Sequence, residues 1–80
     1  MKILIVDDSV SVRKALERLL APRNFAVTSV SSAEHALEAV ALDTPSLIIA
    51  DIVMPGMNGQ EVAEQLGLMR PGVRVLFVSG

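Results

Sequence analysis

Three acidic side chains stand where carboxylates can act together: the adjacent pair Asp7 and Asp8 directly after one short apolar run, and Asp51 directly after another. A hydroxyl, Ser79, follows a third such run. Gathered at one place, carboxylates repel; at an effective dielectric near 20, a pair ~4 Å apart costs roughly 4 kcal/mol before relaxation. Such a group takes up protons or binds a cation. The set offers oxygen alone, with no His or Cys, so the fitting cation is hard. Mg²⁺ suits it, since it takes one or two carboxylates, several waters and a phosphate oxygen. With charge neutralised in that way, one carboxylate can attack phosphorus. Asp51 is the candidate nucleophile, because a strand delivers it singly into the loop that follows. Asp7 and Asp8 are candidate cation holders, and the Ser79 hydroxyl can bond to a phosphoryl oxygen.

Taken singly, these residues have plainer explanations. Paired aspartates after a strand often make only a solvated turn or a helix start. One Asp ahead of a Pro-Gly loop is ordinary turn chemistry, and the Gly there supplies unusual backbone angles. Their joint placement after three separate apolar runs is what these explanations leave unaccounted for.

Whether the groups meet depends on the elements between them. Ile3 to Val6 is a continuous apolar, β-branched run and predicts a buried strand. Val12, Ala15, Leu16, Leu19 and Leu20 then recur at helical spacing, with Arg13, Lys14, Glu17 and Arg18 largely between them. Pro22, Arg23 and Asn24 punctuate the chain before a second strand, Phe25 to Val30. Ser31 followed three residues later by Glu34 has the form of a capping box and predicts a helix from Ala33 to Leu42. Asp43-Thr44-Pro45 breaks it, and Leu47 to Ala50 is a third buried strand. Asp51 to Asn58 reads as a loop of turn formers. Asn58 with Glu61 predicts the start of a third helix running to about Met69, and Arg70-Pro71-Gly72 stops it before a fourth strand, Val73 to Val78. Strand and helix alternate three times and close on a strand, which argues for an α/β fold with a parallel sheet and right-handed crossovers. In such sheets ligands bind beyond the carboxyl ends of the strands, which is where Asp7, Asp8, Asp51 and Ser79 fall.

Composition narrows the alternatives. Eighty residues make one domain at most, able to bury only about 60–65% of the unfolded chain's surface. Apolar residues make up 51% of the chain and aromatic residues 2%, Phe25 and Phe77 being the aromatic pair. A core of Val, Ile, Leu and Ala suits strands covered on both faces. The seven basic residues form no run and stacking groups are scarce, so direct nucleic-acid binding finds no support. Without cysteine there is no disulfide framework or thiol chemistry. The N-terminal apolar stretch runs into two aspartates after four residues, which argues against a signal peptide or a membrane span and for a cytoplasmic protein.

Val6-Asp7-Asp8-Ser9 after the first strand, and Asp51-Ile52-Val53-Met54-Pro55-Gly56-Met57-Asn58-Gly59 after the third, resemble the bacterial response-regulator receiver domains of two-component signalling. The resemblance spans the whole chain and rests chiefly on the second, longer motif. It implies a flavodoxin-like fold with sheet order 2-1-3-4, the fifth strand of the family's 2-1-3-4-5 being absent here. It implies that Asp51 accepts a phosphoryl group from the phosphohistidine of a sensor histidine kinase or a histidine phosphotransfer protein. It further implies that Asp8, Asp51 and the backbone carbonyl of Val53 ligate Mg²⁺, that Asp7 acts through a metal-bound water, and that Ser79 is the switch hydroxyl. Ser9, Val12 and Ala15 on the first helix would then face the kinase.

The chain departs from the family pattern after its fourth strand. The family continues through a helix, a fifth strand bearing a lysine that pairs with the phosphate, and a last helix, so residues 1–80 are expected to be a partial receiver domain. The lysines here are Lys2 and Lys14. Lys2 begins strand one, some ~15 Å from Asp7 at about 3.3 Å per residue and at the wrong end. Lys14 lies mid-helix, roughly 9 Å along the axis from Asp8 at 1.5 Å per residue. A fourth strand left as an edge invites pairing with another copy of the chain. Two other readings stand beside the phosphoacceptor. One is a phosphohydrolase with an Asp nucleophile, whose acidic pair is typically two apart rather than adjacent. The other is an assembly module that kept these loops without the switch.

Overall fold

The sheet forms because two short apolar segments bury both faces at its centre and two alternating ones flank them. The structure, a computed structural model, describes residues 1–51, 53, 54, 57, 58, 64, 65, 67, 68 and 71–78. In chain order its elements are β1 (Lys2–Val6), α1 (Val10–Leu20), a 3₁₀ turn (Ala21–Arg23), β2 (Ala26–Val30), α2 (Ala33–Leu42), β3 (Leu47–Asp51), β4 (Val53–Met54), β5 (Met57–Asn58) and β6 (Arg74–Val78).

The long strands make one parallel sheet in the order β2-β1-β3-β6, which is the expected 2-1-3-4 arrangement of the four apolar runs. Val6 pairs with Ala50, and Asp51 pairs with Val78, so the carboxyl ends of β1, β3 and β6 lie side by side. Alternation along the strands then divides the core. Leu4, Val6, Ile48 and Ala50 face Ala33, Ala36 and Val40 on one side of the sheet. Ile3, Ile5 and Ile49 face Leu16, Leu20 and Phe25 on the other. Burial on both sides explains why β1 and β3 are continuous apolar runs rather than alternating ones.

The breaks behave as their residue types require. Asn24 takes a left-handed conformation at φ 60°, which Asn tolerates better than most residues, and closes the 3₁₀ turn with an N–H bond to the Ala21 carbonyl. Asp43 is extended at the end of α2, ahead of Thr44-Pro45, where the proline disfavours helical backbone in the residue before it. Gly72 sits at φ 100°, open to glycine alone at little cost, and turns the chain into β6.

Two local expectations are corrected, the cap of α2 and the loop after Asp51. The cap of α2 is Ser32 rather than Ser31: its hydroxyl accepts the His35 N–H at 3.2 Å, and Glu34 falls in the first turn. The segment after Asp51 is not wholly loop, because Val53–Met54 and Met57–Asn58 pair as a short antiparallel ribbon, Val53 opposite Asn58. Asn58 is therefore a strand residue. The expected third helix lies mostly outside the described residues, although Glu64, Gln65, Gly67 and Leu68 are helical and exposed. Strand ends otherwise differ by one residue, with Phe25 and Val73 just outside β2 and β6 and Asp51 inside β3.

Candidate metal and phosphoacceptor site

Parallel register brings the acidic residues together. Val6 lies opposite Ala50, so one step further along each chain puts Asp7 beside Asp51, on neighbouring strands about 4.8 Å apart. Asp8 follows at the open end. One carboxylate oxygen from each of Asp7, Asp8 and Asp51 lies within 4.8 Å of the other two. Asp7 is 2% exposed and Asp51 8%, whereas Asp8 is open to solvent.

Burial of Asp7 is offset by its bonds. Its N–H continues the β1–β2 ladder to the Val30 carbonyl at 3.1 Å. Its Oδ1 accepts the Ser9 N–H at 2.8 Å, the form of an Asx turn leading into α1. Its carbonyl accepts Nη1 of Arg13 at 2.7 Å. Ser9 in turn caps α1, its hydroxyl accepting the Val12 N–H at 3.4 Å. The helix start and the acidic pair are thus one hydrogen-bonded unit.

The donor chemistry fits a hard divalent ion. The cluster offers carboxylate oxygens and no nitrogen or sulfur ligand, one carboxylate being exposed, and so suits Mg²⁺, which takes one or two carboxylates and keeps water in its remaining positions. Asp51 is nearly buried at the end of a central strand.

The other expected site residues fall as follows. Val53 belongs to β4, two residues beyond Asp51. Ser79 lies outside the described residues; it follows Val78, the partner of Asp51 in the sheet. Lys2 is at the opposite end of the sheet, where its Nζ pairs with Asp43 Oδ1 at 2.7 Å, and Lys14 is exposed on α1. Neither reaches the carboxylates. The sequence pattern does not single out Arg13, because its bond to Asp7 spans six positions and requires the first turn of α1 to be in place.

The chain matches the model of the response regulator receiver domain over residues 3–80. It is 41% identical over 66 residues to the response regulator MprA of Mycobacterium leprae, covering 82% of this chain and 29% of that protein. It is 36% identical over 75 residues to the DNA-binding transcriptional regulator NtrC of Escherichia coli K12, covering 94% of this chain and 16% of that protein. In a crystal structure of the histidine kinase ThkA in complex with the response regulator protein TrrA, the similar chain superposes with a TM-score of 0.91 at 28% identity, over 99% of this chain and 68% of that one. The chain spans less than a third of the curated relatives it matches. On its sequence, its sheet order and its acidic cluster, this chain belongs to the response regulator receiver domains of two-component systems.

Proposed function

We propose that the chain is a phosphoacceptor: Asp51 receives a phosphoryl group from a phosphohistidine of a sensor histidine kinase or a phosphotransfer protein, in a Mg²⁺-dependent reaction, and the modified domain changes its partner contacts. The observation that carries this reading is the meeting of three carboxylate oxygens, from Asp7, Asp8 and Asp51, within 4.8 Å. An Asp51 oxygen forms its bond to phosphorus as the phosphorus–nitrogen bond of the phosphohistidine breaks, and the leaving imidazole retains or takes up a proton. Asp8, Asp51 and the Val53 carbonyl would hold the ion, with Asp7 acting through water beside them. When bound, Mg²⁺ supplies neutralisation of charge on the transferring group. Ser79 donates its hydroxyl to a phosphoryl oxygen once the group is in place.

The domain promotes its own modification and is not a turnover enzyme. Its kinase-facing surface is the start of α1, where Ser9 and Val12 are half-buried and Ala15 is exposed; the ThkA–TrrA complex supports a kinase as the partner class. Among the described residues no helix is long and apolar enough to cross a membrane, and a place in the cytoplasm is part of the proposal. Incubation with Mg²⁺ and acetyl phosphate, followed by peptide mapping, tests the assignment. Wild type is expected to carry the adduct on the Asp51 peptide and Asp51→Asn to carry none. An adduct formed equally by both proteins would overturn the role of Asp51.

A further inference from the structure

We infer that Arg13 is a positioning residue for the carboxylate cluster, acting through the peptide that joins Asp7 to Asp8. The inference deepens the divalent-cation reading of that cluster and rests on it. Asp7 is tied at three points, and each tie does something different. The N–H bond to Val30 fixes the peptide before Asp7, and the Ser9 N–H fixes its carboxylate. The Arg13 guanidinium fixes the peptide after it, whose plane sets the direction in which Asp8 leaves the chain. Asp8 has no side-chain partner of its own among the described residues, so this peptide plane is its main restraint.

The lever is itself anchored. Arg13 donates its backbone N–H to the Ser9 carbonyl at 3.1 Å in the first turn of α1, and it is half-buried. A guanidinium donor gives a charge-assisted bond, stronger than a neutral one.

Two effects of Arg13 on a bound cation have opposite signs. Its charge repels a cation, so on Coulomb grounds alone its removal would tighten binding. Its hold on the Asp7 carbonyl places a ligand, so its removal loosens the site. Outer-shell partners that orient ligands commonly carry about 10- to 100-fold in metal affinity, while repulsion between partly solvated charges is damped by salt. Positioning is the larger effect, and binding weakens when Arg13 is removed.

Calorimetric titration with Mg²⁺ at physiological ionic strength reads this directly. The proteins compared are wild type, Arg13→Met, which keeps the apolar stem without charge or donors, and Arg13→Lys. Circular dichroism checks that each is folded. The expected dissociation constant of Arg13→Met is about tenfold above wild type. Arg13→Lys recovers most of the loss, because the bond to Asp7 is single and an ammonium can make it. Unchanged or tighter binding by folded Arg13→Met overturns the inference and leaves the cation site standing, as does a lysine variant no better than the methionine one. A wild type that binds no Mg²⁺ at millimolar concentration overturns the cation reading and the inference together. Should Arg13→Met not fold, Arg13→Leu, which likewise has no side-chain donor, is titrated in its place and decided by the same outcomes.

Discussion

At the scale of residues, the candidate site gathers like charges that the proposed ion would offset. Three carboxylates drawn within 4.8 Å of one another cost stability whenever no cation offsets them. Asp8 is the exposed member, so Asp8→Asn leaves no buried group unpaired. In chelator that variant is expected to be more stable than wild type by about 1 kcal/mol, a rise of roughly 4–8 °C in melting temperature for a domain of this size. Added Mg²⁺ should raise the melting temperature of wild type and leave Asp8→Asn nearly unmoved, since a ligand stabilises only the form that binds it. Differential scanning calorimetry with and without Mg²⁺ checks both halves; an Asp8→Asn that melts below wild type in chelator contradicts them. Asp7, Asp8 and Asp51 were legible in the sequence because each follows directly on an apolar run. Arg13 was not. Its role depends on a side chain reaching back past the cap, and helical spacing assigns such a residue only to the polar positions.

At the scale of elements, the helix ends show where pattern reading succeeds and where it slips. The bounds of α2 agree with expectation at Ala33 and Leu42, yet the capping residue is one position later than the Ser31–Glu34 pattern indicates. Both serines fit a cap on paper. Only the extended backbone of Ser32, at φ −148° and ψ 162°, and the bond it accepts from His35 decide between them. Ser32→Ala is expected to cost about 1 kcal/mol, whereas Ser31→Ala, at an exposed position outside the helix, stays within about 0.5 kcal/mol of wild type. Chemical denaturation of the two variants tells them apart, and a larger loss in Ser31→Ala than in Ser32→Ala would return the cap to Ser31. The β4–β5 ribbon escaped notice for another reason. Strands of two residues are too short to show an alternating pattern, and Pro55-Gly56 between them carried the stronger signal of a turn.

At the scale of the whole molecule, the sheet order follows from which strands can be buried on both faces. β1 and β3, the continuous apolar runs, occupy the middle; β2 and β6, which alternate exposed with partly buried residues, lie at the edges. The alternation of elements made the parallel sheet legible, whereas the order of its strands came from the family resemblance. Leu76 on β6 is 52% exposed, an apolar side chain beside an unshared strand edge among the described residues. Such an edge pairs with another copy unless something blunts it. This 80-residue chain is therefore expected to self-associate through β6, and Leu76→Lys to shift it toward monomer, as light scattering behind size-exclusion chromatography would register. A wild type that elutes as a monomer at high concentration would contradict this.

On the function proposed above, the gathered carboxylates make Asp51 a metal-dependent acceptor of phosphoryl groups. Intact-mass measurement after exposure to acetyl phosphate tests it most directly, with Mg²⁺ in one sample and excess chelator in the other. The expected result is the mass of one added phosphoryl group with Mg²⁺ and an unmodified chain in chelator. Equal modification in both samples, or none in either from a folded protein, would contradict it.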